Sequence, residues 1–60
     1  MTKEERAAAA DYIASLTLEL ASIAFNHGLG RVGHLLELAT DEAITHKHAL
    51  ETGRPVEEFA

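Results

Sequence analysis

Apolar residues recur along this chain with the period of an α-helix. In the first half they are spaced alternately four and three residues apart, ending in a histidine, at Ala9, Ile13, Leu16, Leu20, Ile23 and His27. In the second half a similar stripe comprises Val32, Leu35, Leu36, Ala39, Ala43, His46 and Leu50. Such spacing is typical of helices that pack along one side. The pattern therefore predicts an all-α protein with two helices.

Glycine and proline predict where the helices begin and end. Glycines cluster at mid-chain, and another glycine and the only proline follow the second stripe. We expect a single domain over residues 1–60, with helices over about 3–27 and 31–52, a turn over 28–30 and a flexible tail over 53–60. Two helices of similar length joined by so short a turn predict an antiparallel hairpin.

Two local motifs support the first helix. Thr2 lies three residues before Glu5 and fits a capping box, in which each side chain accepts a hydrogen bond from a backbone N–H at the helix start. The run NHGL at 26–29 is typical of a Schellman stop. In that motif Gly28 takes the left-handed conformation and Leu29 folds back on the preceding turn.

The first helix is apolar around most of its circumference. Small residues run beside its stripe of large apolar residues, and Leu18 and Phe25 lie almost opposite Leu16. One partner helix cannot cover this surface, whereas two hairpins related by a two-fold axis bury both first helices in a four-helix bundle. We therefore expect a homodimer, with a loosely packed monomer or a higher oligomer as alternatives. The predicted core and dimer interface consists of Ile13, Leu16, Leu18, Leu20, Ile23, Phe25, Val32, Leu35, Leu36 and Leu50.

Length and charge narrow the function classes. A chain of sixty residues without cysteine has a small core, which rarely supplies more than about 3–5 kcal/mol, so association is expected to stabilise the fold. The net charge of −5 disfavours nucleic acid and anionic membranes as partners. No apolar run approaches the roughly 20 residues of a membrane span, and the first residues lack the apolar centre of a signal peptide. A cytoplasmic location is expected.

Four histidines invite a metal-site hypothesis. Glu42 and His46 share a helix side, but di-iron bundles place the histidine three residues after the glutamate rather than four. No metal site and no cofactor are predicted. Catalysis is not predicted either, because the chain lacks cysteine and its hydroxyl groups lie within predicted helices without an evident base.

Residues 23–29 have some features of the turn in a DNA-binding helix-turn-helix. The following helix, however, carries His34 and Glu37 where apolar anchors are needed, and Asp41 and Glu42 where cations should meet phosphates. A small transcription-associated DNA-binding protein is therefore the alternative hypothesis and not the leading one.

The chain from Tyr12 to Ala43 resembles a group of short bacterial helical proteins that share the pattern YIA…LELxxIAxxxGLxxxxxLLELAxxEA. The resemblance implies a helical hairpin and carries over no catalytic or cofactor residue. Gly30 departs from the pattern, because similar chains often place a helix cap such as Asp there. The function expected from the sequence is a small homodimeric interaction or regulatory module without catalytic activity. Leu18 and Phe25 have a second interpretation, a docking patch for another protein.

Overall fold

The computed structural model describes residues 2–53, which form two helices joined by a short turn. Helix α1 spans Lys3–Asn26 and helix α2 spans Gly30–Thr52. No strand occurs between residues 2 and 53. The prediction of an all-α helical hairpin is confirmed. The predicted tail lies outside the described residues, except for Gly53.

The beginning of α1 is fixed by its cap. The Thr2 hydroxyl accepts a hydrogen bond from the Glu5 backbone N–H at 3.1 Å, and the Glu5 carboxylate accepts one from the Thr2 N–H at 3.5 Å. These two bonds satisfy donors that have no acceptor within the helix. The predicted capping box is confirmed.

The end of α1 comes one residue earlier than expected. His27, at φ −108° and ψ 15°, has left the helical conformation, and Gly28 follows with a φ of +74°. The Leu29 N–H donates to the Ala24 carbonyl at 2.8 Å, and the Gly28 N–H donates to the Phe25 carbonyl at 3.2 Å. These are the two hydrogen bonds of a Schellman motif, so the predicted stop is confirmed.

Helix α2 begins at a glycine, and a second glycine follows its last residue. It starts at Gly30, and no side chain caps its first turn. It ends at Thr52, and the following Gly53 takes the left-handed conformation with a φ of +75°. Glycine adopts this conformation without the steric cost that a Cβ atom would bring.

The two helices run antiparallel, side by side. Three contacts spread along the hairpin join Asp11 with Lys47, Thr17 with Thr40, and Phe25 with His34. As the residue number increases along α1, the number of its contact residue on α2 decreases. The predicted antiparallel order follows from these contacts.

The seam between the helices is made of small residues. The buried positions are Ala14, Ala21 and Ala24 on α1 and Gly33 and Thr40 on α2. Residues of this size let two helix backbones approach closely. At mid-seam the hydroxyl oxygens of Thr17 and Thr40 lie 2.6 Å apart. Since each hydroxyl has one proton, one of them donates across the seam and the other donates to a carbonyl of its own helix.

This seam differs from the one that the spacing of large residues indicated. Ile13, Leu16 and Leu20 remain 48%, 40% and 41% exposed in the hairpin. The physical reason is the row of small residues beside them, which lets the backbones approach so closely that aliphatic side chains remain outside the contact. The hairpin therefore packs through its small residues and leaves most of its large ones uncovered.

Candidate functional site

The most prominent chemical feature of the hairpin is an apolar surface along one of its sides, here called the apolar face. Its large residues are Ile13, Leu16, Leu20 and Ile23 on α1 and Val32 and Leu35 on α2. These six side chains are 40–61% exposed. Scattered exposed aliphatic residues are ordinary on protein surfaces, but a contiguous set marks an interaction site.

A groove shows that the two helices contribute to the same side. Ala9 and Ile13 of α1 line it together with Ala39 and His46 of α2. Along α1, large apolar residues follow Ile13 towards the turn at intervals of three and four residues. Along α2, Leu35 lies four residues before Ala39. Residues at these steps lie on one side of a helix. The face is therefore continuous across both helices.

The groove lies at the end of the hairpin away from the turn. Its volume is about 430 Å³, and its apolar lining consists of four alanines with Ile13 and Leu50. The polar side chains in the lining are Arg6, Glu42 and His46. The apolar face is thus concave and lined by small residues at its far end, and it carries large side chains near the turn.

The opposite side of the hairpin is mixed in character. Leu18 shares a shallow depression there with acidic and histidine side chains, among them Glu37 and His34. Phe25 packs edge-on against His34, with ring centroids 5.5 Å apart. Leu18 is 58% exposed and Phe25 is 40% exposed.

The ten residues predicted for the core and interface thus occupy three places. Six form the apolar face, Leu18 and Phe25 lie on the opposite side, and Leu36 and Leu50 are half-buried. The sequence reasoning missed the buried Gly33 and Thr40, although a seven-residue recurrence of small residues on both helices was visible. Lys47 is half-buried on the side of α2 that meets α1.

An ion pair crosses between the helices. The Lys47 Nζ donates a hydrogen bond to the Asp11 carboxylate at 2.9 Å. This hydrogen bond, together with the charge of Asp11, raises the pKa of Lys47 above its ordinary value of 10.5. Because Asp11 is well exposed, the pair contributes little to stability.

Within residues 2–53, no three His, Asp or Glu side chains come together as metal ligands. His34 Nδ1 lies 3.5 Å from a Glu37 carboxylate oxygen. Both side chains are exposed and line the depression that contains Leu18. This two-residue contact is an ordinary helix-surface pair.

The turn that resembled a DNA-binding motif joins two antiparallel helices. In a helix-turn-helix the two helices cross at about 90–120°. Here the contact between Asp11 and Lys47, far from the turn, shows that the helices stay side by side. The geometry favours a hairpin turn as the explanation of residues 23–29.

Helix α1 also has the length and composition of a membrane-spanning helix. The mean hydropathy of its most apolar 18-residue stretch is 1.3, although every such stretch contains Asp11 and Glu19. The sequence-based expectation was that no apolar run approaches the length of a membrane span, whereas α1 has that length and composition. Core helices of soluble proteins and signal sequences share the same properties.

The apolar face has to be interpreted from the chain itself. Comparisons with protein-family models, with curated proteins and with solved structures find no match to this chain. The exposure, charge and shape of the described residues are therefore the basis on which a function is assigned.

Proposed function

We propose that this chain is a homodimeric helical interaction module, in which two hairpins pair through their apolar faces to form a four-helix bundle. The observation that carries the proposal is the exposure of six large aliphatic side chains on one side of the hairpin. A second copy offers the same surface, and pairing of identical patches about a two-fold axis closes the assembly. The module has no catalytic role in this proposal.

The exposed area is large enough to support a dimer. Together the exposed fractions of the six side chains amount to about three complete aliphatic side chains per protomer. Full burial of one such side chain contributes about 1.5–3 kcal/mol, so two protomers gain about 9–18 kcal/mol before costs. Association itself costs about 4–15 kcal/mol. The gain exceeds the cost over most of these ranges, so the exposed area is sufficient for association.

The proposed interface is narrower than the one predicted from the sequence. Leu16 and Leu18 project from opposite sides of α1, and a single two-fold contact through one face covers only one of those sides. Leu18 and Phe25 therefore stay outside the contact in this proposal. Their surroundings, with His34 and Glu37 nearby, are also less suited to a dry interface.

The experiment compares two leucine substitutions two residues apart on the same helix. Leu16→Glu places a charge on the apolar face, and Leu18→Glu places the same charge on the opposite side. A charge buried in a dry interface costs several kcal/mol. In sedimentation equilibrium we expect Leu16→Glu to shift the dimer to monomer, with Leu18→Glu remaining dimeric.

Circular dichroism of both variants provides the folding control, because each glutamate remains compatible with helix. Equal loss of the dimer in both variants would contradict the choice of face. A monomeric parent chain at all concentrations would contradict the proposal itself. Partition of the parent chain onto neutral phospholipid vesicles, in place of self-association, would show that lipid covers the apolar face.

A further inference from the structure

The apolar face has two unlike halves. Near the turn it carries the large, exposed side chains Leu20, Ile23, Val32 and Leu35. At the far end it is a groove of about 430 Å³, in which four of the nine lining residues are alanines. A surface that bulges at one end and is hollow at the other fits a copy of itself in one direction better than in the other.

We infer that the two hairpins of the dimer pair with their turns at opposite ends, so that the large side chains of each copy fill the groove of the other. This inference rests on the homodimer proposed above. If the turns lay together, the two grooves would face each other and leave a large void. Protein interiors contain few voids larger than a water molecule, because the lining atoms of a void lose their contacts.

The spacing along α1 supports the same arrangement. Ala9 and Ile23 each lie seven residues from Leu16, on opposite sides of it in the sequence. A two-fold axis passing near Leu16 therefore places the Ile23 of one copy opposite the Ala9 of the other. The same axis brings Ile13 close to Leu20, so a large residue meets a small one at the ends and large residues meet near the middle.

The arrangement also has an electrostatic consequence. Glu42 lies at the level of Leu16 in the hairpin, since the contact between Thr17 and Thr40 sets the two helices in register. With the turns at opposite ends, the two copies of α2 face each other, and their Glu42 carboxylates come close to the axis. Like charges placed close together oppose association. We expect Glu42→Gln to tighten the dimer several-fold.

Distances between spin labels test the direction of pairing. The chain has no cysteine, so Asn26→Cys and Glu19→Cys each give one label per copy. Both positions are exposed, and they lie seven residues apart on the same side of α1. At about 1.5 Å per residue, an axis at Leu16 separates the two labels at position 26 by about 30 Å along the helix and those at position 19 by about 9 Å.

The expected result is a label distance clearly longer at position 26 than at position 19. Equal distances at the two positions would show that the turns lie together, and would overturn this inference with the dimer intact. Sedimentation of the labelled chains at the same concentration identifies the other failure. A monomer there would overturn the proposed function, and this inference with it.

Discussion

Gly33 lies under the ring of Phe25, and this contact makes an unusual prediction about a glycine within a helix. Replacing glycine by alanine in a helix interior ordinarily stabilises it by about 0.8–1 kcal/mol. At Gly33, however, the new Cβ atom would lie 2.7 Å from two ring carbons of Phe25 and 2.9 Å from a third. The ring has to move before alanine can be accommodated.

The destabilisation that opposes this gain comes from the contact that the Phe25 ring would lose. Phe25 is 40% exposed, so its ring has room to swing outwards without distorting the backbone. In doing so it gives up the edge-on contact with His34, and aromatic pairs of this kind contribute about 0.5–1.5 kcal/mol. We therefore expect Gly33→Ala to be nearly neutral in the parent chain.

A double-mutant cycle isolates the contact. In a Phe25→Ala background the clash is absent, so Gly33→Ala should stabilise the chain by about 0.8–1 kcal/mol. The assay is urea unfolding, followed by circular dichroism at one protein concentration for all four proteins. A coupling of about 1 kcal/mol is predicted. Equal stabilisation by Gly33→Ala in both backgrounds would refute the reasoning.

Three further changes test other parts of the hairpin. Thr2→Ala removes the capping box and should lower the free energy of unfolding by about 1 kcal/mol in urea unfolding. Ala21→Leu overfills the seam and should lower the free energy of unfolding by about 1–3 kcal/mol. Ala8→Leu, the same change at an exposed position of α1, should not destabilise the hairpin. Equal melting temperatures of the two variants would contradict the placement of Ala21 in the seam. The ion pair stabilises below pH 10.5 and is lost as the pH rises through the raised pKa of Lys47, so the difference in melting temperature between the parent and Asp11→Asn should vanish at higher pH.

Local signals in the sequence predicted the hairpin well. The capping box at Thr2 and the Schellman stop at Gly28 each depend on a few adjacent residues and backbone bonds. Such motifs are readable from sequence because their geometry needs no information about distant residues. The helices and the turn were predictable for the same reason.

The side of α1 that packs against α2 could not be predicted from such local signals. Two parallel rows on α1, one of large residues through Leu16 and one of small residues through Ala14 and Ala21, both have the spacing of a seam. The large row is favoured by burial of apolar area, and the small row by close approach of the backbones. Gly33 and Thr40 decide in favour of the small row, because they offer α1 a flat surface at matching levels.

The central claim, that a second copy covers the apolar face, is tested most directly by sedimentation equilibrium of the unmodified chain over a wide range of concentrations. The claim predicts that the mass rises with concentration from 6.5 kDa towards a limit of twice that value. A mass that stays at 6.5 kDa across the whole range would contradict it.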